Sequence, residues 1–283
     1  MQKLTGDKIP KVLLEIPQPP KELWLEGELP PFDEYKYLTV IGSRKFTSYG
    51  RDCCEKLIMG LAGKPIVIVS GMAIGIDALA HITAMKAGLK TLAIPGSGLN
   101  RNVIYPRQNA RLADEILACG GALLSENAPD FKAQLYSFPS RNRIEAGLST
   151  AVLIVEAGEK SGTLITARMA LDYNRTVLVV PGSIFNQSSI GANRLLKQGA
   201  SPVCSSEDIL VELGLETDTG QTLLDLSSLS SLEKKVYQML QEPLPRDDLL
   251  RELDLDIAEA NALLTMMEIK GLIRESLGEM RIA

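Results

Sequence analysis

The stretch IVIVSGMAIGIDALAHITAMKAG, Ile66 to Gly88, decides the fold. It opens on an unbroken β-branched run, Ile66 to Val69, closes that run on Ser70-Gly71, and passes near Ile74–Asp77 into a helical rhythm. A continuous apolar run, rather than an alternating one, marks a strand covered on both faces. Strand, glycine, helix is half of a parallel βαβ unit.

The same texture recurs in both directions. YLTVIG (37–42), TLAIPG (91–96), ALLSE (122–126), AVLIVEAG (151–158) and TVLVVPG (176–182) are further strand candidates. DALAHITAMKAG (77–88), RQNARLADEILACG (107–120) and TLITARMALDYN (163–174) are helical. The alternation predicts an α/β fold, an extended Rossmann-like parallel sheet with helices on both faces, over residues 37–215. Gly42, Gly71, Gly96 and Gly182 fall at the ends of four of the runs. Ligands of such sheets bind beyond the carboxyl ends of the strands.

Residues 1–36 are proline-rich and read as an irregular arm anchored by Trp24 and Leu25. Residues 216–231, ETDTGQTLLDLSSLSS, read as a linker. Residues 232–283 carry three short amphipathic helices and a small hairpin, the pattern of a winged helix, with Ser231 and Asp256 placed as helix caps.

The 283 residues are 45% hydrophobic and 23% charged, with a net charge of −5. Residues 225–283 hold 12 acidic and seven basic side chains, a net of −5, which leaves 23 of each in residues 1–224. An acidic chain is a poor general nucleic-acid binder, so any anion site must be local. Acid concentrated in the C-terminal part predicts that the winged helix contacts protein, or the rest of the chain, rather than duplex phosphates. Four cysteines without a C-x-x-C pair and a single histidine argue against a zinc site and for free buried thiols. No apolar run approaches a membrane span, and the expectation is a soluble cytoplasmic protein.

Four loops carry groups suited to anions. Gly42-Ser43-Arg44 offers an approachable backbone, a hydroxyl and a planar guanidinium. Ser70-Gly71 precedes a helix start, where Asp77 competes as a cap and His81, one turn on, is placed to bond Asp77. GSGLNRNVIYPRQN, from Gly96, has G-x-G without the third glycine of a dinucleotide site, and adds Arg101, Arg107 and Tyr105. Ser161-Gly162-Thr163 opens a helix after a strand, so its N–H groups suit a phosphate, with Ser161 alternatively a simple cap. To these is added SFPSRNRIEAGLS (137–149). It supplies the stacking face of Phe138, the amide of Asn142, and Arg141 and Arg143 ahead of a short helical turn. An aromatic with basic neighbours suits single-stranded nucleic acid. Either arginine can instead serve a carboxylate such as Glu126 or Glu156. With no Ser-His-Asp set, paired metal carboxylates or Walker lysine, these loops point to binding rather than turnover, and no cofactor or metal is expected.

In their order, VIGSRKFTSYG, VSGMAIGIDALAH, GLNRNVIYPRQNARLADEI, LLSENAP, FPSRNRIEAGLS, VEAGEKSGTLITARMA, VPGSI and GANRLLKQGA resemble the DprA/Smf family, DNA-processing protein A, from about Ile16 to Leu213. The resemblance implies a homodimer that binds single-stranded DNA without enzymatic turnover, protects it, and loads the RecA recombinase in natural transformation. It implies Arg44 as the leading phosphate ligand, Phe138 and Arg141–Arg143 at the DNA pocket, and Ser161, Gly162 and Thr163 in the neighbouring loop. It places Leu195 and Leu196 near the self-association surface. The chain departs from the family at Ile74, where an arginine is usual, which removes a cation from the pocket rim. Two other readings stand beside this one. A nucleoside-monophosphate-hydrolysing enzyme of related fold would need a carboxylate where Thr166 stands. A pure interaction scaffold would bind neither DNA nor nucleotide.

Overall fold

The structure, a computed structural model, describes residues 1–216, 229–240, 242–253, 255–276 and 278–282. The linker expected at 216–231 lies almost wholly outside the described residues. The chain divides into two compact units, residues 1–217 and 218–283.

The first unit runs β1 (Gln2–Thr5), α1 (Lys11–Leu14), β2 (Glu22–Gly27), β3 (Lys36–Ile41), α2 (Ser48–Met59), β4 (Ile66–Ser70), α3 (Ile76–Lys86), β5 (Lys90–Ala93), α4 (Ala110–Ala118), β6 (Ala122–Ser125), α5 (Ser137–Leu148), β7 (Ala151–Ile154), α6 (Thr163–Asp172), β8 (Thr176–Val179), α7 (Ile190–Lys197), β9 (Ser201–Pro202) and α8 (Ser206–Glu212). Nine strands form one sheet in the order β1-β2-β6-β5-β4-β3-β7-β8-β9. From β6 to β9 every neighbouring pair is parallel. The chain steps outward from β3 through β4 and β5 to β6, then returns so that β7 lies against the other side of β3. The strand order therefore reverses between β3 and β7.

Side chains along the strands alternate between the two faces of the sheet and feed three clusters. Leu38, Val40, Ile66, Ile68, Leu153 and Leu178 face α2, α3 and α8. Tyr37, Val67 and Val69 pack with Leu13 of α1 and Ile144 and Leu148 of α5. Val152, Ile154, Val177 and Val179 pack with Ala167 of α6 and Leu195 of α7. Both faces are covered, which is why the runs are apolar without a break.

The N-terminal segment is not an irregular arm. β1 and β2 extend the sheet antiparallel beyond β6, with Trp24 opposite Ser125. The prolines at 17, 19 and 20 fall between α1 and β2 and interrupt neither. Nor are all four thiols buried: Cys54 is buried and Cys53 half-buried, but Cys119 and Cys204 are exposed.

The second unit comprises α9 (Ser231–Met239), β10 (Leu244–Pro245), α10 (Arg246–Glu252), α11 (Ile257–Ile269), β11 (Ile273–Ser276) and β12 (Glu279–Ile282). Its antiparallel sheet is ordered β10-β12-β11. Val236, Leu249, Leu264, Met267 and Met280 close its core. The cap of α9 is Ser230, not Ser231, in a capping box with Glu233. Asp256 caps α11 by accepting from the amide of Ala258. No helix among the described residues is long and apolar enough to cross a membrane.

Candidate functional site

A cavity of about 530 Å³ opens beyond the carboxyl ends of β3 and β7. That is the point where the strand order reverses, and where a doubly wound sheet leaves a crevice between loops that diverge to opposite faces.

β3 delivers Gly42, Ser43 and Arg44 to one wall. A Cβ on Gly42 would lie 2.7 Å from Cγ1 of Ile76, so only glycine lets α3 approach here. The Ser43 hydroxyl is spent locally, donating to the carbonyl of Lys45 at 2.7 Å and accepting from its amide. Arg44 is exposed, and its side chain has no hydrogen-bond or ion-pair partner among the described residues.

The opposite wall is the segment before α6. Lys160, Ser161, Gly162 and Thr163 line the cavity. Ser161 Oγ accepts from the amide of Thr163 at 3.2 Å, and the Thr163 hydroxyl donates to the carbonyl of Gly42 at 3.2 Å, which ties the two walls together. The Gly162 amide retains no acceptor among the described residues. Lys160 is exposed and likewise unpaired. It was not singled out from sequence, although it directly precedes the Ser-Gly-Thr turn.

The third wall is α5, and here the structure departs furthest from expectation. Ser137–Leu148 is one twelve-residue helix, not a loop followed by a short turn. Pro139 falls in its first turn, where no intrahelical N–H is required. Phe138 is half-buried, with Gly96 beneath it: a Cβ there would lie 2.7 Å from the ring. Tyr105 lies at a centroid distance of 5.6 Å from that ring.

Both arginines of α5 are buried and committed. Arg141 donates through Nη1 to the carbonyl of Ile94 at 2.9 Å and to Glu145 Oε1 at 2.5 Å. A Cβ on Gly71 would lie 1.5 Å from that same Nη1, so Gly71 exists here to let the guanidinium pass. Arg143 pairs with Glu126 and donates to the carbonyl of Gln18 at 2.7 Å, which pins the N-terminal segment to α5; it does not line the cavity. Glu156 serves neither arginine. It accepts from the Thr47 amide and hydroxyl at 3.0 and 2.9 Å, and from Ser188.

Two carboxyl groups lie at the cavity floor: Asp77, anticipated from sequence as a competing cap, and Glu145, which was not singled out. Burial pushes Glu145 up to about 8; the Arg141 guanidinium opposes that rise and the Asp77 charge adds to it. Burial also raises Asp77, against the pull of Arg141. The floor therefore holds one guanidinium between two reluctant carboxylates, and free positive charge is confined to the rim.

The remaining candidates are placed elsewhere. Ser70 is buried and donates to the carbonyl of Val40 at 2.7 Å. Gly71 instead lines a smaller slot with Arg44, Ile74, Tyr105 and Phe138. Arg101 is held by Glu26 and Asp114. Gly182 is bonded to Asn193, away from the cavity. His81 bonds Thr91 at 2.7 Å rather than Asp77, because Thr91 sits across on β5 and commits its own proton to Ile68. Leu195 is buried in the core and Leu196 half-buried. No cluster of potential metal ligands occurs among the described residues.

Residues 2–214 match the family described as DNA recombination-mediator protein A, and residues 224–279 match the DprA winged helix domain. The chain is 40% identical over 210 residues to the DNA processing protein DprA of Bacillus subtilis, covering 74% of this chain and 70% of that one. It is 44% identical over 204 residues to Protein Smf of Escherichia coli, covering 72% of this chain and 54% of that one. The DprA structure from Streptococcus pneumoniae superposes with a TM-score of 0.69 at 38% identity, over 76% of this chain and 75% of that one. The Helicobacter pylori DNA processing protein A, in a structure described as revealing its single-stranded DNA binding mode, superposes at 0.67 with 34% identity, over 75% of this chain and 96% of that one. With fold, motif order and both domain matches in agreement, this chain belongs to the DNA recombination-mediator protein A family, the DprA/Smf proteins.

Proposed function

We propose that this chain binds single-stranded DNA in the cavity between β3 and β7 and does so without turnover. A phosphate sits at the rim, between Arg44 and Lys160 and near the Gly162 amide, while a base stacks on Phe138. The observation that carries this is the separation of roles among the cations. Arg141 and Arg143 are each held by partners within the protein, whereas Arg44 and Lys160 reach the cavity uncommitted. The single-stranded DNA binding mode described for the Helicobacter pylori relative supports the ligand class. We further propose that the protein acts in the cytoplasm as a homodimer associating near α7, shielding incoming strands and handing them to RecA. Fluorescence anisotropy with a labelled oligo-dT, at two salt concentrations and against Arg44→Ala and Lys160→Ala, tests the site. Both variants weaken binding; equal affinity in both would remove it.

The two carboxyl groups in the cavity give one reason to keep an enzymatic reading open, that of a nucleoside-monophosphate hydrolase. Thr166 stands where the catalytic carboxylate is needed, and Glu145 is 1% exposed and held by Arg141. Release of free base from AMP would establish that reading, and its absence is the expected result.

A further inference from the structure

In a helix-turn-helix the recognition helix enters the major groove, and its outward face carries the donors and cations that read bases and phosphates. In this chain the helix in that position is α11, and its outward face is built for something else. Ala260, Leu264 and Met267 point into the core of the unit. Opposite them, at helical spacing, Ala258, Ala262, Thr265, Met266 and Ile269 are exposed, with Ile269 at 74% and Met266 at 51%. The stripe runs three turns and carries no charge. The whole of α11 contains neither lysine nor arginine.

The cations elsewhere in the unit are mostly spent. Arg246 pairs with Glu268 and Glu275, Arg251 with Asp248, Lys270 with Glu233 and Arg281 with Glu279. What borders the start of the stripe is acidic: Asp256 and Glu259 are exposed there with no cationic partner among the described residues. An uncharged stripe containing a methionine, with a charged rim, has the composition of a protein interface core and its border. Two alanines one turn apart leave room for a second helix to approach closely.

We propose that the exposed face of α11 is a docking surface for a basic amphipathic helix of a partner protein, one whose Leu/Ile/Met face is bordered by Lys and Arg. Charge selects this occupant. Duplex DNA would meet acid where it needs cations. A second copy brings no lysine or arginine on its own α11 to meet Asp256 and Glu259.

The probe is a fluorescein-labelled leucine–lysine peptide of amphipathic helical register, titrated into the full chain. The controls are a peptide of the same composition with that register scrambled, and an unlabelled DNA duplex as competitor. The test variant is M266E/I269E, whose positions are exposed and so leave the core intact; circular dichroism confirms its fold, and M266L/I269V is the conservative partner. The expected result is binding of the amphipathic peptide, weakened roughly tenfold or more in M266E/I269E, restored in M266L/I269V, and unaffected by duplex. Four results would overturn the proposal: no binding by the natural chain, equal binding of the scrambled peptide, duplex binding that M266E/I269E abolishes, or self-association of the natural chain that the same variant abolishes.

Discussion

Arg44, Arg141 and Arg143 are one residue type in three physical situations, and substitution separates them. Arg44 is exposed and unpaired, so Arg44→Ala leaves stability within about 0.5 kcal/mol and removes one phosphate contact. The slope of log affinity against log salt then shrinks by about 0.7. Arg143→Ala strands Glu126 and the Gln18 carbonyl, so it costs about 2–3 kcal/mol of stability and leaves the salt slope unchanged. Thermal melts alongside salt titrations read both effects. The Arg141–Glu145 pair was not anticipated, because its i,i+4 spacing joins the two only in a continuous helix and the segment reads as a loop before a short turn; the Arg143–Glu126 pair was open among alternatives, because Glu126 comes from the end of another strand. What no spacing discloses is burial, and burial decides the chemistry here. Glu145, raised to about 8 from an ordinary 4.5, contributes stability that is fully present below about 4.5 and lost as pH climbs through 8. Its ionisation also adds negative charge to the cavity floor. DNA affinity is therefore expected to fall more steeply between pH 7 and 9 in the natural chain than in Glu145→Gln, as anisotropy would show. His81 works in the other direction. Burial lowers it to about 3 from 6.5, so its contribution is present above 6.5 and lost as pH falls through 3. The acid limb of a plot of melting temperature against pH is expected to flatten in His81→Gln.

At the scale of elements, the strands from β3 to β8 were legible because being covered on both faces writes itself as unbroken Val and Ile. β1 and β2 were not, since only Leu4 in β1 and Leu23 and Leu25 in β2 are buried, leaving no unbroken apolar run, and they lie among prolines that in fact fall between elements. α5 was misread for a related reason. Pro139 resembles a breaker, yet in a first turn it costs no hydrogen bond. The consequence is functional, because a helix fixes Phe138 and Asn142 on a rigid wall instead of a loop. Phe138→Ala should weaken oligonucleotide binding by about 1–3 kcal/mol, with Phe138→Trp retaining it. Gly71→Ala should act through the element behind: a methyl at 1.5 Å from Arg141 Nη1 must displace the guanidinium. We expect a loss of about 1–3 kcal/mol in denaturant melts, together with weaker binding as the floor of the cavity shifts.

Across the whole molecule, charge is partitioned. The first 224 residues balance 23 acids with 23 bases, and the excess acid lies wholly after them. A neutral unit can still hold an anion because two free cations, Arg44 and Lys160, stand at one place, the reversal of strand order, where the sheet topology brings β3 and β7 side by side. Of the four glycine-ended runs, only the one closing on Gly42 lines the cavity there; the choice of Arg44 and Lys160 over the two arginines of α5 required the tertiary partners. The acidic unit, whose third helix turns an uncharged face outward, is suited to protein rather than to the same strand of DNA. The most direct test of the central claim is the salt dependence of oligo-dT binding by the folded chain, measured side by side with Arg44→Ala. The account predicts binding at low salt whose slope falls by about 0.7 in the variant. A folded natural chain that binds no oligo-dT at low salt, or a variant with unchanged affinity and slope, would contradict it.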